Sequence, residues 1–400
     1  MFGLASCGPA AGSAGFGAGG DEVREDPPVG AEQGELEGEP KEASTPASDD
    51  AASGRGEPTA EPEDATSKQE TQTQGDPVEA STPDLLGTVI RVAAYGIPES
   101  DISEAFELVR DIDGKMSVNK PDSELSKIND AAGTSGVKVS PETYGLIKEA
   151  VELSAYTGGT FDPALGGVTS LWKTDGSFGR LPEKTEVQAA LKGAGSANVA
   201  IESEDAVKLT DKRTRLDLGG IAKGYACEKA AEFLKAKGAK SALLDFGGNI
   251  LAFGRKADGG EWMVGIKAPY PEDEGVACAL AIDGEAVVTS GYYEKYFEKD
   301  GKLYHHILDP KTGYPSDSGL LSATIVAASS TKADALSTAC FVLGYEKGKE
   351  LLAKTEGCEG IFITGNVSED GTGSAGIVHT TPGLKGRVSI LDKRFTLEES

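Results

Sequence analysis

The chain has 400 residues, 38% of them hydrophobic, and carries 65 acidic against 39 basic side chains for a formal net charge of −26. So acidic a chain presents no basic face to phosphate, which excludes nucleic acid as a partner. No run of about 18 apolar residues occurs, so no membrane-spanning helix is expected.

Apolar residues are spread unevenly. Residues 1–83 read as a disordered acidic tail rich in Gly, Pro and Ser: the first eighty hold 18 Asp/Glu against 4 Lys/Arg and, past the start, one phenylalanine. Such a segment buries too little apolar surface to offset its chain entropy. Within it, Leu4-Ala5-Ser6-Cys7 reads like the end of a bacterial lipoprotein signal, with Cys7 as the lipidated residue. A signal needs a charged start and about 7–15 apolar residues, and only Met1-Phe2-Gly3 precede the motif, so the numbered start is expected to lie inside the true signal. The polar residues that follow would tether an extracytoplasmic domain to the cell membrane, the lipid anchor being its only membrane contact. Gly15, Gly17 and Gly20 match a dinucleotide-binding pattern, but no strand leads in and no helix leads out, so it carries no weight.

The folded domain is placed at 84–400, with order beginning near Leu86 and a strand over residues 88–92. A helix is predicted over 100–112 from the spacing of Ile102, Ala105, Phe106 and Val109. Residues 116–129 read as a loop and a short helix with Asp122-Ser123 at its start. Ser140 fits the N-cap, Pro141 the first turn and Gly158 the exit of the next helix. Its exit, Gly158-Gly159-Thr160-Phe161-Asp162-Pro163, presents an aromatic and an acid, and alone is ordinary turn punctuation. Further strands are predicted over 198–201, 206–209, 215–218, 242–245, 262–266, 277–282 and 321–327, and helices over 221–237 and 332–343. Strands come in adjacent pairs as often as they alternate with helices, which points to an α+β fold with mixed or antiparallel sheets and flanking helices.

Three segments could carry chemistry. Leu216-Asp217-Leu218-Gly219-Gly220-Ile221-Ala222-Lys223 is a strand turning through paired glycines into a helix, whose free N–H groups and Lys223 would favour an anion. The alternative is a tight turn with a solvated lysine. Asp334 and Thr338 lie four apart on one face of an otherwise apolar helix, where a hard cation would satisfy the carboxylate. The alternative is an acid stabilised by the helix dipole beside a hydrogen-bonded threonine. Only His305, His306 and His379 can supply an imidazole, and neighbours on a strand face opposite ways, so one of His305 and His306 can face a cleft. The alternative is a structural histidine. Five cysteines show no C-x-x-C pair, so no zinc or thioredoxin-like site is expected.

In their order these segments resemble one family, the ApbE-like FAD:protein FMN transferases. The matching stretches are Leu86-Gly87-Thr88, Met116-Ser117 with Asp122-Ser123-Glu124-Leu125, Gly159 to Pro163, Leu216 to Tyr225, Asp245-Phe246-Gly247-Gly248-Asn249-Ile250, Thr289-Ser290-Gly291, His306 to Pro315, and Ala333 to Thr338. The resemblance implies an enzyme that binds FAD with Mg²⁺, splits the pyrophosphate and moves FMN onto a threonine hydroxyl of an acceptor flavoprotein, such as a respiratory or redox-complex subunit, releasing AMP. By the family pattern His306 is the base; Asp334, Thr338 and the Gly220 carbonyl hold magnesium; and Leu86, Asn119, Thr160, Phe161, Asp162, Asp217, Lys223 and Ile307 contact FAD.

The chain departs from that pattern in places. Asn119 stands where many members carry tyrosine, Leu86 where many carry methionine, Ser337 where some place a further acid, Cys227-Glu228 for an aliphatic-Asp pair, and Tyr292 for a polar residue. None of these replaces the base or the two side-chain metal ligands. Two other functions fit the same residues: an FAD pyrophosphatase yielding FMN and AMP, and a surface flavin-binding lipoprotein without turnover. The chain shows no acceptor motif of its own, since Ser322-Ala323-Thr324 lacks the acid at the usual spacing and falls inside a predicted strand.

Overall fold

The structure is a computed structural model and describes residues 75–172, 180–203, 205–270, 273–367 and 373–400. Cys7, the glycine pattern and the rest of the tail up to residue 74 lie outside the described residues. In chain order the strands are β1 (Val78–Leu85), β2 (Thr88–Tyr95), β3 (Val137–Lys138), β4 (Val199–Ile201), β5 (Ala206–Leu209), β6 (Ser241–Phe246), β7 (Asn249–Phe253), β8 (Trp262–Lys267), β9 (Val276–Ile282), β10 (Ala286–Gly291), β11 (Tyr296–Lys299), β12 (Lys302–His305), β13 (Leu320–Ala327), β14 (Cys358–Val367), β15 (Gly373–Thr380), β16 (Val388–Ile390) and β17 (Phe395–Glu399). The helices are α1 (Glu99–Met116), α2 (Glu124–Asp130), α3 (Pro141–Tyr156), α4 (Gly166–Trp172), α5 (Lys184–Leu191), α6 (Ala222–Ala236), α7 (Ser330–Leu343) and α8 (Tyr345–Leu352).

One mixed sheet runs β1-β2-β6-β7-β10-β13-β14-β15-β17, antiparallel except between β15 and β17. Smaller sheets are β16-β9-β8, β3-β5-β4 and the hairpin β11-β12. The expected α+β class is the one observed. Local caps act as read: the Ser140 side chain accepts from Thr143 N–H to start α3, and the Ser123 side chain from Ser126 N–H to start α2.

Two sequence expectations are corrected. Folded structure begins before Leu86: β1 starts at Val78, inside the segment assigned to the tail, so the boundary moves from residue 84 to Val78. Val78, Ala80 and Thr82 alternate inward along β1 with the strand period, and the register with β2 runs from Val78↔Ala94 to Leu85↔Thr88. The strand is hard to read because Pro83 and an irregularity between Thr82 and Leu85 are tolerated only at a sheet edge. Residues 215–218, predicted as a strand, join no ladder; Arg215 makes a single bridge to Leu165. The Asn129 carboxamide takes their place in the hydrogen-bond accounting, donating to Leu216 O at 3.0 Å and accepting from Leu216 N at 2.7 Å.

Helix α7 packs on β10, β13 and α6. Every residue of β13 is buried, so the Ser322-Ala323-Thr324 segment is inside a strand as expected. The α6–α7 crossing depends on Gly224: a Cβ there would stand 2.3 Å from Ser330 O and 2.8 Å from Asp334 Cβ. Gly224→Ala is therefore expected to lower stability by about 1–3 kcal/mol through overpacking, read as a fall in thermal midpoint. An unchanged midpoint would show that the two helices separate freely.

Candidate active site

The turn into α6 is set by Asp217. Its Oδ1 accepts from Gly219 N–H at 2.9 Å, and its Oδ2 from the Thr169 hydroxyl at 2.8 Å. The chain then passes Gly220, where a Cβ would lie 3.3 Å from the Phe161 ring and 3.4 Å from Thr338 Oγ1. A side chain here would press on the Phe161 ring and meet Thr338 at ordinary contact distance, which places the Gly220 backbone beside both. The first N–H groups of α6 find partners outside the helix: Ala222 N–H donates to Leu218 O at 2.8 Å and Gly224 N–H to Asp334 Oδ2 at 2.9 Å. Lys223 Nζ lies 3.9 Å from Asp334 Oδ1.

Asp334 is buried, and burial pushes its carboxyl above the usual range, while Lys223, the Gly224 N–H and the Asn249 side chain pull it back. The dipole reading of this acid is half right: the helix start it serves is that of α6, not its own. Helix α7 is held in register by Glu228, which accepts from Ser329 Oγ at 3.0 Å, Thr331 N at 3.1 Å and Thr331 Oγ1 at 2.9 Å. The Cys227-Glu228 departure therefore supplies a clamp between α6 and α7. Ser337 is engaged elsewhere: its hydroxyl pairs with Ser290 Oγ at 2.7 Å and donates to Asp334 O at 2.8 Å.

The choice between His305 and His306 is decided by hydrogen bonds. His305 is buried edge-on to Tyr292 and Phe341; its Nδ1 accepts from Ile307 N–H at 3.3 Å, so Nε2 carries the proton and donates to Ser316 O at 3.1 Å. Both nitrogens are spent on structure. His306 follows the end of β12, and its Nδ1 sits 3.2 Å from the Lys295 carbonyl, which can only accept. Nδ1 therefore holds the hydrogen and Nε2 keeps a lone pair. Burial, with Lys295 and Lys223 adding their charge, pushes this imidazole down to about 3, so it is neutral at ordinary pH. Lys223 thus acts on both His306 and Asp334, which share one electrostatic neighbourhood.

Sequence reasoning missed Glu294. Its carboxyl is pushed up to about 7 by burial, with Lys223 and Lys295 opposing and Asp334 reinforcing. A Cβ at Gly248 would stand 3.5 Å from Glu294 Oε1, and one at Gly87 would stand 3.4 Å from Lys295 Nζ. These contacts bring together the β1–β2 turn, where Leu86 takes φ +54°, the Gly247-Gly248 turn and the Glu294-Lys295 segment, whose Lys295 carbonyl faces His306. The available signal was an acid three residues after Gly291.

Phe161 and Asp162 are held by the turn after α3: Asp162 Oδ1 accepts from Ala164 N–H at 2.9 Å, and burial raises its carboxyl. The Thr160 hydroxyl donates to Thr157 O at 2.9 Å, so it fixes the turn. Ile307 is buried beside His306. Asn119 is not brought in: it is exposed after α1, its N–H bonded to Ser117 Oγ at 3.3 Å, and none of the described hydrogen bonds ties it to the other candidates. Among the described residues no three of His, Cys, Asp and Glu come together as a metal cluster.

A glycine-lined helix start with a lysine, a buried carboxylate at that start and a neutral imidazole within the same field are the parts of an enzyme that moves a phosphorylated group. The chain belongs to the ApbE family, whose family model matches residues 86–362. It is 37% identical over 333 residues to the FAD:protein FMN transferase of Treponema pallidum (strain Nichols), across 78% of this chain and 90% of that protein. The corresponding protein of Klebsiella pneumoniae (strain 342) is 35% identical over 283 residues, across 70% and 88%. Among solved structures, the ApbE protein of Thermotoga maritima matches with TM-score 0.66 at 35% identity over 74% of this chain and 96% of that one. The flavin transferase ApbE from Vibrio cholerae matches with TM-score 0.66 at 27% identity, over 76% and 97%.

Proposed function

We propose that the protein transfers FMN from FAD to a threonine hydroxyl of an acceptor protein and releases AMP. The observation that carries this reading is the bond from His306 Nδ1 to the Lys295 carbonyl, which leaves Nε2 free to accept a proton. Nε2 takes the hydroxyl proton as the oxygen bonds to the FMN phosphorus; the P–O bond to the AMP phosphate breaks, and AMP departs with the electron pair. An imidazole at about 3 is a weak base, but the anionic pyrophosphate offsets the nearby lysines and lifts it toward the working range. Lys223, in the first turn of α6, would supply the positive charge that holds the phosphates.

Mg²⁺ fits the oxygens present, namely the Asp334 carboxylate, the Thr338 hydroxyl and the Gly220 carbonyl. A hard cation takes such donors and completes its shell with phosphate oxygens and water. When bound, it would neutralise charge building on the pyrophosphate. Glu294 gives this a pH dependence. Its carboxyl is neutral below about 7 and charged above. Apparent Mg²⁺ affinity is therefore expected to rise from about pH 6 to about pH 8, with proton release on binding. Calorimetry in buffers of different ionisation enthalpy reads this release, and Glu294→Gln should flatten the profile. A wild-type affinity independent of pH would refute the coupling.

The acceptor is expected to be a redox-complex subunit outside the cytoplasm, with this protein lipid-anchored at Cys7; the Leu4-Ala5-Ser6-Cys7 motif and the polar tether support that reading. The deciding experiment incubates the protein with FAD, Mg²⁺ and a candidate acceptor, then weighs the acceptor and assays AMP. A covalent FMN on threonine supports transfer. AMP without that gain would mean a pyrophosphatase, and neither product a flavin-binding protein.

A further inference from the structure

The base sits at the root of a closed loop outside the main core. Ser316 N–H returns to Ile307 O at 2.9 Å, Asp309 N–H to Tyr314 O at 2.8 Å and Gly313 N–H to Asp309 O at 2.8 Å. Leu308 of this loop belongs to a separate apolar cluster with Leu165, Val168 and Trp172. Trp172 is buried, packs edge-on to Tyr314 at 5.3 Å and stacks on Tyr304 at 6.0 Å. Its indole N–H donates to Gly313 O at 2.9 Å. Indole has no acceptor, so this bond fixes the ring's orientation as well as the loop.

Trp172 is the last residue of α4, and the first and fourth residues of α4 are tied to the segment that leads into α6. The Thr169 hydroxyl donates to Asp217 Oδ2, and Gly166 N–H donates to Arg215 O at 2.9 Å. Asp217 in turn sets the Gly219-Gly220 turn that opens α6. One short helix is therefore hydrogen-bonded through Gly166 and Thr169 to the segment that leads to Gly220 and Lys223, and through Trp172 to the loop that follows His306.

We infer that α4 is a strut that sets the distance between the base and the phosphate-holding turn, with Trp172 and Thr169 as positioning residues acting through His306 and Asp217. This rests on the transferase reading above. Catalytic groups misplaced by a fraction of an ångström lose rate without losing the substrate's other contacts.

The test removes only the indole donor, by Trp172→benzothienylalanine, which keeps ring shape and stacking; Trp172→Phe is the simpler companion. The strut predicts a fall of about tenfold in kcat for acceptor flavinylation, with KM for FAD within about twofold. In a His306→Ala background the same replacement should change the residual rate little, because the residue it positions is gone. Thr169→Val should instead raise KM for FAD. Wild-type kcat in the donor-less variant would overturn the inference, as would a joint loss of kcat, FAD affinity and thermal midpoint, the mark of a merely structural tryptophan. If the wild-type protein itself forms no flavinylated acceptor, the transferase reading fails first and takes the strut with it.

Discussion

His306→Ala is expected to lower acceptor flavinylation by about 10²–10⁴-fold, the usual worth of a positioned proton acceptor, while FAD still binds. The variant isolates the ring. Alanine keeps the His306 N–H bond to Lys295 O at 3.0 Å, so the loop backbone retains its tie, and Ile307 stays buried beside it. What disappears is the Nε2 lone pair that the Lys295 carbonyl leaves available. Acceptor mass measured over time, with FAD affinity from flavin fluorescence, separates the two effects. Wild-type turnover in this variant would remove His306 from the mechanism, and the neighbouring His305 could not replace it because both its nitrogens are occupied.

The second large effect is expected at Asp334. Asp334→Asn keeps an acceptor for the Gly224 N–H but removes the charge that would hold a cation, and should raise the Mg²⁺ concentration for half-maximal rate by tenfold or more, about 1.4 kcal/mol per factor of ten. Asp334→Ala should add a stability loss of about 1–3 kcal/mol, because a buried N–H is left without a partner. Comparing the two variants separates metal holding from fold support. If the asparagine variant shows wild-type Mg²⁺ dependence, the cation is held elsewhere.

Features set by short-range chemistry were legible in the sequence. The four-residue spacing of Asp334 and Thr338 and the caps at Ser140 and Ser123 are local, and the structure keeps each, whereas the strand expected to carry both His305 and His306 ends at His305. Features decided by distant partners were not. Strand β1 exists because β2 pairs with it, residues 215–218 give up a ladder because the Asn129 side chain reaches them, and Glu294 is perturbed because three other segments crowd it. The role of Trp172 depends on a carbonyl 141 positions away, which no periodicity discloses. The residues alone left the two histidines equivalent and the family resemblance favoured His306; in the structure the partner facing each ring nitrogen tells them apart.

The contact at Gly224 reaches beyond the effect of any one variant. The same bare backbone that lets two helices touch also lends its amide to the buried carboxylate of Asp334. Under the proposed function, robustness and turnover would meet at that one position, and a lineage could not trade one against the other there. Adaptation to heat or to a new acceptor would have to come from the outer loops, leaving that crossing untouched.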